Sequence, residues 1–267
     1  MARDYVHGYT APEAARLVDQ ASTLTELLHF DTAYPAGSLV LEAGCGVGAQ
    51  TVTLAARSPQ TTFVSVDISP ASLILAKARA READLRNVTF QAGDIFSLPF
   101  SDTQFDHAFV CFVLEHLVTP EKALAEVRRV LKPGGTLTVI EGDHGSAYFH
   151  PDSEFARRAV QCLVDLQREA GGDALIGRRL YPLLVQAGVR EVRVSPRMVY
   201  VDASRPTLVD GFIRKTFTAM VEGVSEQAIR QGLMEAESWR QGIRDLYRTA
   251  EADGTFCYTF FKAIGVK

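Results

Sequence analysis

The chain has 267 residues, enough for one large α/β domain or a core domain with a small cap. Its formal charge of −4 gives no general attraction to nucleic acid or to an anionic membrane, which argues against a tRNA- or rRNA-modifying enzyme. The four cysteines, Cys45, Cys111, Cys162 and Cys257, are scattered and form no C-x-x-C pair. They read as buried reduced thiols, with no disulfide framework and no metal site expected. No apolar run approaches the ~18 residues of a membrane span, so the expectation is a soluble protein of the reducing cytoplasm.

Along the chain, Leu17, Ala21, Leu24 and Leu28 recur at helical spacing and predict an amphipathic helix over 11–31. Thr10, Pro12 and Glu13 supply a capping-box pattern at its start. Five strand-like segments then alternate with helices. SLVLEA (38–43) leads through a glycine turn into a helix from Val47 to Arg57. TFVSVD (62–67) precedes a helix from Pro70 to Ala83, and NVTFQAGD (87–94) is the third strand. The fourth lies within QFDHAFVCFVL (104–114) and precedes a helix from Pro120 to Leu131. Lys132-Pro133-Gly134-Gly135 stops that helix, and TLTVIEG (136–142) is the fifth strand. Strands apolar on both faces, separated by helices of about ten residues or more, require a parallel sheet covered on both sides. The fold class is therefore α/β, doubly wound, with its ligand beyond the carboxyl ends of the strands.

Past residue 150 the segments 154–170 and 178–187 read as helices, with Gly188 as a stop. Residues 189–201 alternate like a strand, and Pro196 inside it implies a bulge or an edge position. Residues 206–252 read as mostly helical, and 254–267 as a closing strand. Without repeats or linkers, the chain reads as one domain: an N-terminal lid and helix (1–36), a ligand-binding core (37–145) and a substrate-side half (146–267). The helical insertion at about 203–254 carries Phe212, Phe217, Met220, Leu233 and Trp239 among many charges. It serves either as a cap over a hydrophobic substrate pocket or as the interface of a homodimer.

The glycine turn VLEAGCGVGAQT (40–51) admits two readings. Gly44, Gly46 and Ala49 form the G-x-G-x-x-A of dinucleotide sites, which points to a hydride-transferring enzyme. Glu42, Gly44, Gly46 and Gly48 form E-x-G-x-G-x-G, a loop typical of proteins that bind S-adenosylmethionine (SAM). In both, the glycines let the ligand approach bare backbone and the next helix aims free N–H groups at it. Asp67 ends the second strand about 20 residues on, where it accepts ribose hydroxyls and disfavours a 2′-phosphate. Glu42 separates the readings. A carboxylate aimed at the turn repels a pyrophosphate but favours the ammonium and sulfonium of SAM.

Further motifs follow in series: Gly93-Asp94, Leu98-Pro99-Phe100, Phe105-Asp106, Glu115-His116 and Leu131-Lys132-Pro133-Gly134-Gly135. With the glycine turn and Asp67 they span about 40–141, and in this order the chain resembles the class I SAM-dependent methyltransferases. The likeness is greatest to the branch of ubiquinone- and menaquinone-biosynthesis C-methyltransferases and small-molecule enzymes. The resemblance implies a Rossmann-like sheet of seven strands, the last antiparallel, with SAM as cofactor and S-adenosylhomocysteine as product. It places Gly44 and Gly46 against the methionine portion with Glu42 nearby, Asp67 on the ribose diol and Ile68 against the adenine. It also places Gly93, Asp94 and the Ile95 backbone at the adenine amine. Cys111 and Phe112, with Val113, close over the other side, and His116 with Glu115 shapes the pocket floor. In relatives the segment before the first strand forms a lid, which makes Tyr9, or Tyr5, a cation–π partner for the sulfonium.

The sulfonium methyl is already electrophilic, so the enzyme's main task is to align a nucleophile and exclude water. A general base is needed only where the nucleophile must lose a proton. The candidates are His144, Glu141 and Asp143 at the end of the fifth strand, with His150 behind them; His7, His29 and His107 read as packing or solvent-facing. The function expected is methyl transfer to a small organic acceptor at O, N or C. The alternative is a non-catalytic SAM-binding protein that acts through a protein partner. Arsenite methylation, which leans on clustered thiols, does not suit the scattered cysteines.

Overall fold

The protein is described by a computed structural model over residues 11–267. These divide into two compact units, one of residues 25–141, 176–196 and 261–267, the other of residues 11–24, 142–175 and 197–260. Thr10, Tyr5 and Tyr9 lie outside the described residues, so the capping box and the lid reading are not addressed by it. The seven strands are β1 (Leu39–Ala43), β2 (Thr62–Asp67), β3 (Val88–Ala92), β4 (Phe105–Cys111), β5 (Leu131–His150), β6 (Arg190–Val201) and β7 (Thr255–Val266). They form one sheet in the order β3-β2-β1-β4-β5-β7-β6. The pairings β1–β2, β1–β4, β2–β3 and β4–β5 are all parallel. The chain enters at β1 and winds outward to β3, then returns to β4 beside β1. That reversal opens a crevice at the carboxyl ends of β1 and β4.

The strands form because Val, Leu and Phe fill both faces. Leu41, Val66, Phe105, Ala108, Val110, Leu137 and Val139 are all buried in one core. The helices α1 (Ala11–His29), α2 (Ala49–Arg57), α3 (Pro70–Glu82) and α4 (Pro120–Val130) follow the expected segments. Ser69 caps α3 by accepting the Ser72 N–H at 3.2 Å, the usual role of a serine ahead of a proline-started helix.

The Phe105-Asp106 and Lys-Pro-Gly-Gly motifs prove architectural. Asp106 accepts the Leu39 N–H at 2.9 Å and the Lys132 ammonium at 2.6 Å, fastening the start of β1 to the start of β5. The Lys132 ammonium, ahead of the Leu39 N–H, holds the Asp106 carboxyl below the usual carboxylate range. Lys-Pro-Gly-Gly does not precede β5, as the sequence reading had it, but lies within the strand. Phe105 pairs with Leu131 and His107 with Thr136, so five steps along β5 oppose two along β4. The surplus residues bulge out. Gly134 in that bulge donates to Lys267 O at 3.2 Å, and Lys267 donates back to Gly135 at 2.9 Å. The start of β5 thus meets the end of the chain, which makes β7 antiparallel to it. The Leu98-Pro99-Phe100 loop is likewise pinned: Leu98 N–H reaches Glu126, and Arg129 reaches Glu126, Asp102 and the carbonyls of Leu98 and Phe100.

β6 is the edge strand, one of the two positions that Pro196 allowed. In the second unit α5 (Glu154–Glu169) is capped by Ser153 and packs closely on the helix Ala236–Arg248. A Cβ on Gly242 would lie 2.6 Å from Phe155 O. The next stretch is helical, as its pattern predicts, but of another kind: Val209–Thr218 is a π-helix. The Thr216 hydroxyl donates to Gly211 O, five residues back, at 2.7 Å. Gly211 itself passes so near α1 that a Cβ there would lie 2.3 Å from Thr23 Oγ1. Such wide turns cluster at functional places.

Candidate functional site

The glycine turn is built by three residues with positive φ: Gly44 at 83°, Gly46 at 51° and Gly48 at 78°. Two of them also need glycine for a close neighbour. A Cβ at Gly44 would strike Val113 at 2.4 Å, and one at Gly48 would strike Ala76 at 2.9 Å. At Gly46 nothing stands within 4 Å, so this bare backbone faces space that no described protein atom fills.

Asp67, at the end of β2, closes over the turn. Its Oδ2 accepts the Gly46 N–H at 2.7 Å and its Oδ1 accepts the Ser69 N–H at 2.9 Å. Burial nevertheless raises its pKa against those hydrogen bonds. Asp94 makes an Asx turn, with Oδ1 accepting the Phe96 N–H at 2.9 Å. Since Asp67 pairs with Ala92 across β2 and β3, Ile68 and Gly93 leave the two strands side by side. Ile68 is 52% exposed and Phe96 40% exposed. Apolar side chains left in water at a strand-end crevice suit the flat face of an adenine better than they suit solvent.

Glu42 departs from the expectation. Its side chain was read as facing the ligand, yet it is only 2% exposed. Its Oε2 takes hydroxyls from both Ser65, at 2.6 Å, and Thr51, at 2.7 Å. The carboxylate thus ties β1 to β2 and to the first turn of α2, and sets the glycine turn from beneath. Its Oε1 takes no hydrogen bond among the described residues. Burial, ahead of any charge, pushes the Glu42 pKa up to about 7, with the Ser65 and Thr51 hydroxyls opposing and Asp67 adding to it.

After β4 the chain turns sharply through Phe112, which has φ of 57°. This is a strained conformation for a side chain of that size. Glu141 holds the turn. Its Oε1 accepts the N–H groups of Val113, at 3.0 Å, and Leu114, at 2.8 Å, capping the 3₁₀ helix Leu114–His116. Its Oε2 is buried and without a partner. Burial first, then the nearby Glu115, raises its pKa well above the carboxylate range. The sequence reading offered Glu141 as a catalytic group; its geometry is that of a brace for the segment Cys111–Val113. Glu115 in turn lies 3.6 Å from His116 Nε2. The Cys111 thiol sits among these acids, its pKa raised by burial and then by Glu141, Glu42 and Glu115.

Asp143 and His144 belong to the other unit. Asp143 is buried, with Oδ1 accepting the Gly145 N–H at 3.1 Å. His144 is buried, its main chain donates to Ala174 O, and its Nδ1 lies 2.7 Å from the Tyr258 hydroxyl. Of the histidines read as packing or solvent-facing, His29 is buried and tilts against Phe109, while His107 is half-buried and bonds Thr136.

Three contributors escaped the sequence reading: Thr51, Ser65 and Tyr258. Ser65 was legible in principle. It is the one polar residue inside the apolar run of β2, and parallel register sets it opposite Glu42. Tyr258 carried no local signal. Among the described residues no cluster suited to a metal ion occurs, and no helix is long and apolar enough to cross a membrane.

Residues 41–139 match the family described as a methyltransferase domain. The chain is 37% identical over 190 residues to an uncharacterized 37.1 kDa protein from a transposon of Streptomyces fradiae, covering 70% of this chain and 54% of that one. It is 36% identical over 102 residues to the demethylmenaquinone methyltransferase of Thermus thermophilus, covering 38% of this chain and 46% of that one. It thus spans about half the length of the curated relatives it matches. In fold it is similar to the YcgJ protein of Bacillus subtilis, with a TM-score of 0.58 at 18% identity over 92% of this chain and 98% of that one. It is also similar to a Haemonchus contortus phosphoethanolamine N-methyltransferase solved with S-adenosylhomocysteine. That TM-score is 0.59 at 15% identity, over 97% of this chain and 58% of that one.

Proposed function

Residues 41–139 belong to the class I SAM-dependent methyltransferase family, and from that premise we propose that the protein transfers a methyl group to a small organic molecule by in-line displacement. The observation that carries this reading is a glycine turn left open at Gly46 and flanked by buried acids. Glu42 and Asp67 stand at the ends of β1 and β2, and burial raises the pKa of both. A ligand with an ammonium and a sulfonium brings positive charge to these acids, whereas a dinucleotide brings a pyrophosphate against them.

Gly44, Gly46 and the first turn of α2 would receive the amino-acid end, with the Glu42 charge behind them. Asp67 would exchange its hold on Gly46 for the ribose hydroxyls. Ile68, Gly93, Asp94 and Ile95 would take the adenine, and Cys111, Phe112 and His116 the remaining side. SAM supplies an electrophilic methyl carbon when bound there. The protein's own contributions are alignment, exclusion of water and removal of a proton from the acceptor. Of the β5 candidates, His144 is the group suited to the last task. Glu141 is a brace, and Asp143 turns one oxygen to its own loop.

Calorimetric titration with S-adenosylhomocysteine and NAD, separately, tests the cofactor. Saturable binding of NAD with no response to S-adenosylhomocysteine would reverse the assignment. A labelled-methyl screen over small metabolites tests turnover. Tight binding of S-adenosylhomocysteine with failure across the whole screen would favour a non-catalytic SAM-binding protein acting through a protein partner.

A further inference from the structure

The unit that carries the glycine turn also holds a polar chain that the site as described leaves unused. It begins at Lys262 on β7, whose side chain is 1% exposed. The ammonium donates to Asp31 Oδ1 at 2.6 Å and to Thr32 Oγ1 at 2.5 Å. Thr32 Oγ1 lies 3.3 Å from His29 Nδ1, and His29 Nε2 lies 2.8 Å from Gln50 Oε1. His29 is buried against Phe109, which stands opposite Glu42 across β1 and β4. Gln50 is half-buried and is the second residue of α2, directly after the glycine turn.

Chemistry fixes the direction of each bond in this chain. An ammonium can only donate, so the Thr32 oxygen accepts from Lys262 and keeps its own hydrogen to give. That hydrogen goes to His29 Nδ1. Burial, against the Gln50 hydrogen bond, lowers the His29 pKa to about 4, so at neutral pH the ring carries a single N–H. With Nδ1 accepting, that N–H is on Nε2 and donates to Gln50 Oε1. The NH2 of the same amide then faces away from His29, and it donates to no described residue. Around it, Gly48 gives α2 no side-chain cap, and the first turn holds no acid. The Thr51 hydroxyl, next along, goes to Glu42. One oriented amide and the free N–H groups of a helix start thus stand together as donors, an arrangement that suits an anion.

We propose that Gln50 determines specificity for the carboxylate at the ligand's amino-acid end, its NH2 donating to one carboxylate oxygen, and that His29 is the positioning residue that holds the amide in this orientation. This rests on the SAM reading above. The amino-acid end of SAM and of S-adenosylhomocysteine is a zwitterion, and the two sides of the turn divide it. Glu42 and Asp67 favour the ammonium, whereas Gln50 and the start of α2 favour the carboxylate. A flipped amide would present its oxygen and repel the same carboxylate, so orientation decides the sign of the interaction. His29 sets that orientation, and Lys262, through Thr32, sets His29. Donors running in one sense from a fixed cation polarise one another and strengthen the last of them.

Calorimetry with two ligands tests this: S-adenosylhomocysteine, and its decarboxylated analogue, which keeps the ammonium and lacks the carboxylate. Gln50→Glu retains an oxygen for His29 and replaces the NH2 with a second oxygen. It should weaken S-adenosylhomocysteine about 10- to 100-fold, the range of a lost hydrogen bond to a charged group, and leave the analogue unweakened. His29→Leu should weaken S-adenosylhomocysteine selectively as well. His29→Gln, which returns a donor near the Nε2 position, should recover the affinity. General damage to the fold weakens both ligands alike, so the ratio of the two affinities separates positioning from packing. Nitrogen-15 histidine spectra of the ligand-free protein, with His29→Gln for assignment, should show Nε2 protonated and Nδ1 unprotonated at His29. An unchanged affinity ratio in Gln50→Glu overturns the role of Gln50. A His29 ring protonated at Nδ1, or an unchanged ratio in His29→Leu, overturns that of His29. Absence of S-adenosylhomocysteine binding to the wild type would instead overturn the cofactor reading itself, so the two failures are distinct.

Discussion

Replacing Glu42 with glutamine removes one titrating group from the centre of the sheet and leaves its shape. In the folded protein burial lifts this carboxyl from the usual 4.5 to about 7; in the unfolded chain it returns to the ordinary value. A group with a raised folded pKa contributes stability that is fully present below the unfolded value. That contribution fades as pH rises and is gone above the folded pKa. The interval from 4.5 to about 7 corresponds to a swing of roughly 3 kcal/mol, each pKa unit being worth about 1.4 kcal/mol. Glutamine keeps one acceptor for the Ser65 and Thr51 hydroxyls and carries no charge. Urea unfolding of both proteins at pH 5, 6, 7 and 8 should therefore show Glu42→Gln gaining on wild type as pH rises. The gain should approach 3 kcal/mol and level off near pH 8. Every other titrating group is common to the pair and cancels in the difference. Parallel stability curves across this range would refute the claim that an uncompensated charge is held at Glu42, and with it the electrostatic case for a cationic ligand.

The acid limb has the opposite sign. Burial depresses the His29 pKa from 6.5 to about 4 against the Gln50 hydrogen bond, so the unfolded chain takes up that proton first. Stability should fall as pH drops from 6.5 toward 4, and proton NMR should find the His29 ring neutral at pH 5; a midpoint near 6.5 would contradict this. Glutamine at Glu141 keeps an oxygen that can accept the Val113 and Leu114 N–H groups, so Glu141→Gln should change stability by less than about 1 kcal/mol. Glu141→Ala leaves the Val113 and Leu114 N–H groups unpaired over a cavity and should cost about 2–4 kcal/mol by chemical denaturation. Equal losses for the two variants would mean that these two hydrogen bonds do not brace the turn. Asp67→Ala should weaken S-adenosylhomocysteine binding by roughly 1.5–3 kcal/mol, the scale of lost hydrogen bonds to a charged group; unchanged calorimetric affinity would remove Asp67 from the site.

The sheet was legible because its signals are local and redundant. Val, Leu and Phe on both faces of short strands imply burial on both sides, and Pro196 narrowed β6 to a bulge or an edge, of which the sheet order shows the edge. The strand β5 was read short for a physical reason: Pro133 and two glycines ordinarily end structure, but here a bulge absorbs them while pairing with Lys267 closes the ladder. The π-helix was illegible because its wide turn depends on Gly211 passing Thr23, a contact far away in sequence. In the site, the order of motifs led to the right family while misplacing one of its members. Glu42 was read as reaching the ligand, and the cofactor assignment was staked on that orientation. Spacing fixes where a carboxylate leaves the backbone, not which hydroxyls will claim it. Ser65 and Thr51 claim this one, and the match along 41–139 carries the family instead.

That inward turn changes what the acid is for. A carboxylate touching the ligand contributes one hydrogen bond and its own desolvation. A carboxylate behind the turn, locked by two hydroxyls, presents its charge through the glycine backbone with no side chain left to reorganise. Preorganised charge of this kind is worth most where water is excluded, since the group cannot relax when the ligand arrives. Glu141, within β5, fixes the strained turn at Phe112 by accepting two N–H groups. Two acids of one sheet thus divide the work by what they hold. Glu42, whose pKa burial pushes up to about 7, lies behind the glycine turn and is the acid that a cationic ligand would draw into its charged form, whereas Glu141 supplies geometry.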